Sequence, residues 1–146
     1  MAFKTAIIIT PTSAKIASHI FAIPNAAKIR QRNFIPIAKR KIKTFYLERQ
    51  KEDDLIISAS PFFLVNAICR DIGIHNIIGT EINQNTGEYI NDNVYCFGEA
   101  KVKYFQKYFQ GEIIEQFYSD SKCDEPLAKL SKEAYIVNKH KIKKWF

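Results

Sequence analysis

From Lys41 onward, hydrophobic and polar positions alternate between two periods. Ile42, Phe45, Tyr46 and Arg49 recur at helical spacing, and the polar run from Gln50 to Asp54 closes that helix. Leu55-Ile56-Ile57 is short, β-branched and uniformly apolar, the pattern of a strand covered on both faces. It stops at Ser58-Ala59-Ser60-Pro61, where Ser60 suits an N-cap and Pro61 a first helical position. A helix is therefore expected through Phe62, Leu64, Val65, Ala67 and Ile68 to about Asp71, with Gly73 as its stop.

A second apolar run, Ile74 to Ile78, leads into Thr80-Glu81-Ile82, Asn85-Thr86-Gly87 and Tyr89-Ile90. Alternation about a glycine turn predicts a small β-hairpin near 80–90. Gly98 and Glu99 open a helix with Val102, Phe105, Tyr108 and Phe109 on one face. Ile113-Ile114 and Phe117-Tyr118 predict a strand that ends in Ser119-Asp120-Ser121-Lys122-Cys123-Asp124-Glu125-Pro126. Leu127, Ala128 and Leu130 then resume helical spacing, and Ala134 to Val137 form one more strand. Strands alternating with helices imply an α/β domain with a parallel sheet between two helical layers.

Composition agrees with one compact domain: 146 residues, 47% apolar, 25% charged, five glycines and five prolines. The longest charge-free stretch, Leu55 to Cys69, is broken by Ser58, Ser60, Pro61 and Asn66, so it falls short of the roughly 20 apolar residues a bilayer span needs. No membrane partner is expected. Cys69, Cys96 and Cys123 are odd in number and widely spaced, which reads as reduced thiols in a cytoplasm. With His19, His75 and His140 they show no ligand spacing, so no zinc role is assigned.

Charge is divided unevenly. Residues 1–50 hold ten Lys or Arg against one acid, Glu48, a net of +9, whereas residues 51–146 hold twelve against fourteen, a net of −2. No aspartate precedes Asp53. The front segment is acid-poor like a transit peptide, but Pro11, Pro24 and Pro36 interrupt any long amphipathic helix and argue against one.

In an open α/β sheet, ligands bind beyond the carboxyl ends of the strands. A hydroxyl with successive backbone N–H groups, as at Ser58, Ala59 and Ser60, can hold phosphate, although taken alone the turn reads rather as a helix cap containing two serines. Asp120 and Asp124 could gather hard oxygens about Mg²⁺, or Asp124 could cap the helix opened by Glu125 and Pro126 while Asp120 is solvated. Lys101 in the first turn after Gly98 is either one solvated lysine among several or a point charge on phosphate.

In order, LIISAS, GEAKVKYF and FYSDSKCDEPLAKLSKEAYIV resemble the second, third and fourth motifs of the haloacid dehalogenase (HAD) superfamily, in its phosphoserine-phosphatase-like branch. The resemblance implies a three-layer Rossmann-like HAD core over residues 41–146, incomplete or degenerate at its N-terminus. It makes Ser58 and Lys101 catalytic, with Ser58, Ala59, Ser60 and Lys101 binding the phosphoryl group of a small phosphorylated metabolite. By the same resemblance Asp120 and Asp124 hold Mg²⁺.

The family's first motif, Asp-x-Asp-Gly-Thr, supplies the attacking carboxylate and the general acid and base, and this chain has neither. The apolar run Ala6 to Ile9 ends in Thr10-Pro11-Thr12, which would set Thr10 and Thr12 at the carboxylate positions. A threonine there cannot form an acyl phosphate, so the phosphatase is expected to be impaired or inactive. Residues 1–40 are expected to be an atypical basic segment, either a degenerate first strand with a cap remnant or a foreign start on a truncated chain. In the first case Thr5 to Thr10 should lie in the sheet between the strands at Leu55 and Phe117. A different function is a non-catalytic polyanion- or nucleic-acid-binding module built on Arg30, Arg32, Lys39, Arg40, Lys41 and Lys43 with Phe34, Phe45 and Tyr46. No recognition motif accompanies that charge, so a solvated basic face is favoured over it.

Overall fold

The computed structural model describes residues 2–8, 44–90, 93–138 and 141–146. Among them, six strands form one sheet: β1 (Ala2–Ile8), β2 (Leu55–Pro61), β3 (Asn76–Thr80), β4 (Ile113–Ser119), β5 (Ser131–Asn138) and β6 (Lys141–Lys144). The strand order is β3-β2-β1-β4-β5-β6; β1 to β5 are parallel, and β6 runs antiparallel along the edge. A strand near the start of the chain is therefore present over Ala2–Ile8, while residues 9 and 10 of the expected span 5–10 lie outside the described residues. It lies between β2 and β4, pairing Ile8 with Ile57 and Ile7 with Tyr118. Without it β2 and β4 would each expose a row of unpaired N–H and C=O groups at the centre of the sheet.

The helices are α1 (Thr44–Leu47), α2 (Phe62–Arg70), α3 (Glu99–Tyr108) and α4 (Glu125–Ala128). On one face of the sheet Tyr46 of α1 and Val65 and Cys69 of α2 pack with Ile56 and Ile74. On the other, Tyr104 and Phe105 of α3 and Leu127 and Ala128 of α4 pack with Leu55, Ile57, Ile114 and Phe117. Leu55, Ile56 and Ile57 are fully buried because successive strand residues face opposite helical layers. This is the expected three-layer α/β/α architecture.

Three local expectations change. Ser60 does not cap α2: β2 continues through Pro61, which occupies the N-cap position without a side-chain hydrogen bond. The Ser58 hydroxyl accepts the Ser60 amide, a local bond within the turn. The hairpin near 80–90 reduces to one antiparallel bridge, Ile82 to Tyr89, because Asn83 draws the Asn85 and Thr86 amides into a tight polar turn. Strand β6 was not anticipated; its Lys-Ile-Lys-Lys sequence has one apolar residue, and lysines on an edge strand oppose pairing with another chain. The Trp145 backbone amide donates to the Ala134 carbonyl, and the Trp145 ring packs against Phe117.

Candidate functional site

Because β1, β2 and β4 are parallel, their carboxyl ends meet at one rim of the sheet. The chain passes outward from β1 through β2 to β3 and then returns to the far side of β1 as β4, so the switch in direction falls at β1. Such a switch opens a crevice for a ligand. Neighbouring strands are about 4.8 Å apart, so the tips of β2 and β4 stand about 10 Å from each other with β1 between them.

At the tip of β2 the pairing with β3 slips between Ile57 and Pro61, and Ser58-Ala59-Ser60 occupies the irregularity. An irregular strand end directs backbone N–H groups away from the ladder. Ser58 is buried, and its Oγ accepts the Ser60 N–H at 3.2 Å, folding the turn onto itself. Thr80 at the end of β3 donates its hydroxyl to the Ala59 carbonyl at 2.7 Å and accepts the Cys96 N–H at 3.0 Å.

Lys101 lies one turn into α3. Residues 101, 104 and 105 share the buried face of that helix, and Lys101 is only 1% exposed. A lysine so enclosed requires a counter-charge. Its Nζ reaches Asp124 Oδ1 at 2.6 Å, and Asp124 is equally buried. The pairing also offsets the unfavourable position of a cation in the first turn of a helix, where Glu99 adds a second negative charge.

The other Asp124 oxygen accepts the Ser119 hydroxyl at 2.7 Å, and Ser119 Oγ in turn accepts the Ser121 N–H at 3.0 Å. Asp124 stands at the N-cap position of α4 but makes no side-chain cap there. Of the two roles open to it in the sequence, capping is excluded: the carboxylate is turned inward to Lys101 and Ser119. Asp120 follows β4 directly and is exposed at its tip.

Of the sequence-derived residues, Lys101 and Asp124 are in direct contact, Asp120 is four residues away at the same strand end, and Ser58, Ala59 and Ser60 form the turn two strands across. Thr10 and Thr12, with the basic residues Arg30, Arg32, Lys39, Arg40, Lys41 and Lys43 and the aromatic Phe34, lie outside the described residues. Sequence reasoning missed Ser119 and Thr80. Each is a hydroxyl residue ending a buried strand, and that was the available signal.

Cys96, beside this site, is fully buried, and burial pushes its thiol up to about 12 against the smaller opposing pull of Lys101. It stays protonated and is no nucleophile. The residues the sequence offers as donors for a divalent cation are Asp120 and Asp124. No group of three or more His, Cys, Asp or Glu side chains gathers among the described residues. Exposed Asp120 fits a hard cation that keeps most of its ligands as water and phosphate. Asp124 fits less freely, since each of its oxygens already accepts a hydrogen bond, although a carboxylate retains further lone pairs. No described helix is long and apolar enough to cross a membrane.

A family model described as haloacid dehalogenase-like hydrolase matches residues 7–129. A histidinol-phosphatase of Neisseria meningitidis serogroup C (strain 8013) is 33% identical over 99 residues, covering 60% of this chain and 44% of that protein. The chain thus spans less than half the length of this curated relative. No solved structure matches the chain significantly.

Proposed function

The chain belongs to the haloacid dehalogenase-like hydrolase family, and from that premise we propose that it is a phosphatase-type core of the phosphoserine-phosphatase-like branch that binds phosphomonoesters of small metabolites and hydrolyses them poorly or not at all. The observation that carries this reading is the buried Lys101–Asp124 pair set at the rim where Ser58 and Asp120 also stand. A phosphatase as relative supports a phosphate ester as the substrate class.

In this mechanism the phosphoryl group rests against the Ser58–Ser60 turn, with the Ser58 hydroxyl as its side-chain donor. Lys101 contributes positive charge from the opposite side, held in place by Asp124, which Ser119 orients in turn. Asp120, with the remaining lone pairs of Asp124, would hold Mg²⁺, and the ion would offset phosphate charge. Binding therefore has its groups. Attack on phosphorus does not, because no aspartate precedes Asp53 and neither Thr10 nor Thr12 can become an acyl phosphate. Losing a nucleophile that acts as part of a unit removes roughly 10⁶-fold in kcat in a well-studied hydrolase.

The test is hydrolysis of p-nitrophenyl phosphate with and without Mg²⁺, by the wild-type chain and by Asp120→Ala. Turnover near background in both is expected. Robust Mg²⁺-dependent turnover that Asp120→Ala abolishes would show that an attacking group exists after all. Binding of inorganic phosphate that Ser58→Ala leaves unchanged would remove the phosphate site itself.

A further inference from the structure

The Thr80 hydroxyl joins two segments that come together only in the folded molecule. It donates to Ala59, in the middle of the Ser58–Ser60 turn, and accepts from Cys96, five residues before Lys101. Thr80 is buried, only 4% exposed, so water competes little for these bonds. A hydroxyl offers one hydrogen and two lone pairs, and this one uses its hydrogen and a lone pair on two parts of the rim at once.

The residue before it is equally specific. A Cβ on Gly79 would lie 2.7 Å from the Phe62 Cα and 3.0 Å from both the Phe62 N and the Ser60 carbonyl oxygen. Only glycine lets the backbone of β3 approach the turn closely enough for Thr80 to reach Ala59. Beyond Cys96, Gly98 begins α3 at a φ of +53°, and the site where its Cβ would stand faces the Cys123 carbonyl at 3.7 Å. The path from the Ser58–Ser60 turn through buried Thr80 and Cys96 to Lys101 is short, although Phe97 and Glu99 between Cys96 and Lys101 are exposed.

We propose that Thr80 is a positioning residue for the phosphate site: its hydroxyl sets the separation between the Ser58–Ser60 turn and the segment that delivers Lys101. The proposal deepens the function argued above and rests on it for the identity of the ligand, but the linkage itself is a property of the unliganded protein. Thr80→Val removes the hydroxyl at nearly constant volume, leaving the Cys96 amide and the Ala59 carbonyl without this partner. Thr80→Ser keeps it.

Two measurements on the full chain test the proposal. Amide hydrogen exchange reads the linkage without any ligand. In Thr80→Val, exchange should accelerate at Cys96 and, across the sheet edge, at Ser60, while amides of β4 and β5 are unchanged; in Thr80→Ser both should stay slow. Titration with inorganic phosphate reads the consequence: affinity should fall about tenfold in Thr80→Val and recover in Thr80→Ser, a loss of the size expected for one buried hydrogen bond. Fast exchange confined to Cys96, or wild-type phosphate affinity in folded Thr80→Val, overturns the proposal. If wild-type protein binds no phosphate while both amides still respond to Thr80→Val, the linkage stands and the phosphate reading falls. Should Thr80→Val not fold, Thr80→Ala and Thr80→Ser provide the same comparison, and equal exchange in those two overturns it.

Discussion

At the scale of single residues the site depends on a charge pair that water does not reach. Taking Lys101 and Asp124 out of solvent costs several kcal/mol for each ion, which the 2.6 Å contact and the Ser119 hydrogen bond offset. The pair therefore contributes less to stability than to holding two charges in one arrangement. Removing one member leaves the other buried and uncompensated. Lys101→Met is expected to lower unfolding free energy by about 3–5 kcal/mol. Lys101→Met combined with Asp124→Asn should recover part of that loss, and urea denaturation of the wild type, Lys101→Met, Asp124→Asn and the double variant reads the coupling directly. The sequence singles out the lysine and the aspartate by resemblance, but not their mutual contact, because 23 residues separate them and the pattern also suits a solvated lysine and a helix-capping aspartate.

The elements place these residues through their ends rather than their centres. Strand β2 ends in an irregular turn, β4 ends at Ser119, and α3 begins at a glycine. Gly98 adopts φ +53° and ψ −125°, a region essentially closed to residues with a Cβ. Its neighbours leave room for a methyl group, so Gly98→Ala should cost only the conformational strain, about 1–3 kcal/mol. Because α3 carries Lys101 in its first turn, the same variant should weaken phosphate binding more than a surface alanine of equal destabilisation. Denaturation midpoints and phosphate titration of Gly98→Ala beside such a control decide this. The helices and strands themselves follow from the period of their apolar residues, and α2, α3, β2 and β4 lie close to where that period sets them. Their termini were harder to read. Ser60 has the composition of an N-cap, yet its amide is taken by the Ser58 hydroxyl and the strand runs on to Pro61.

Across the whole molecule, burial on both faces of the sheet sets the response to pH. Burial pushes the thiols of Cys69 and Cys96, one in each helical layer, from 9.0 up to about 12. The unfolded chain releases these protons more readily than the folded one. Their contribution to stability is accordingly complete below about pH 9 and lost as pH rises toward 12. Denaturation midpoints should be level in that respect up to pH 9 and then fall, and replacing Cys69 and Cys96 together by alanine should flatten the alkaline part of the curve; an unchanged slope would refute the assignment. The amino-acid sequence alone determined the α/β class, the strand–turn–helix units and the absence of an aspartate before Asp53, since each is a matter of local period or residue identity. The tertiary structure decided that β1 lies between β2 and β4, that Asp124 turns to Lys101 instead of capping a helix, and that Thr80 ties the Ser58 turn to the approach to Lys101. These are contacts between segments distant in the chain, and their energies depend on burial and on atoms brought within hydrogen-bond reach, neither of which a local pattern carries.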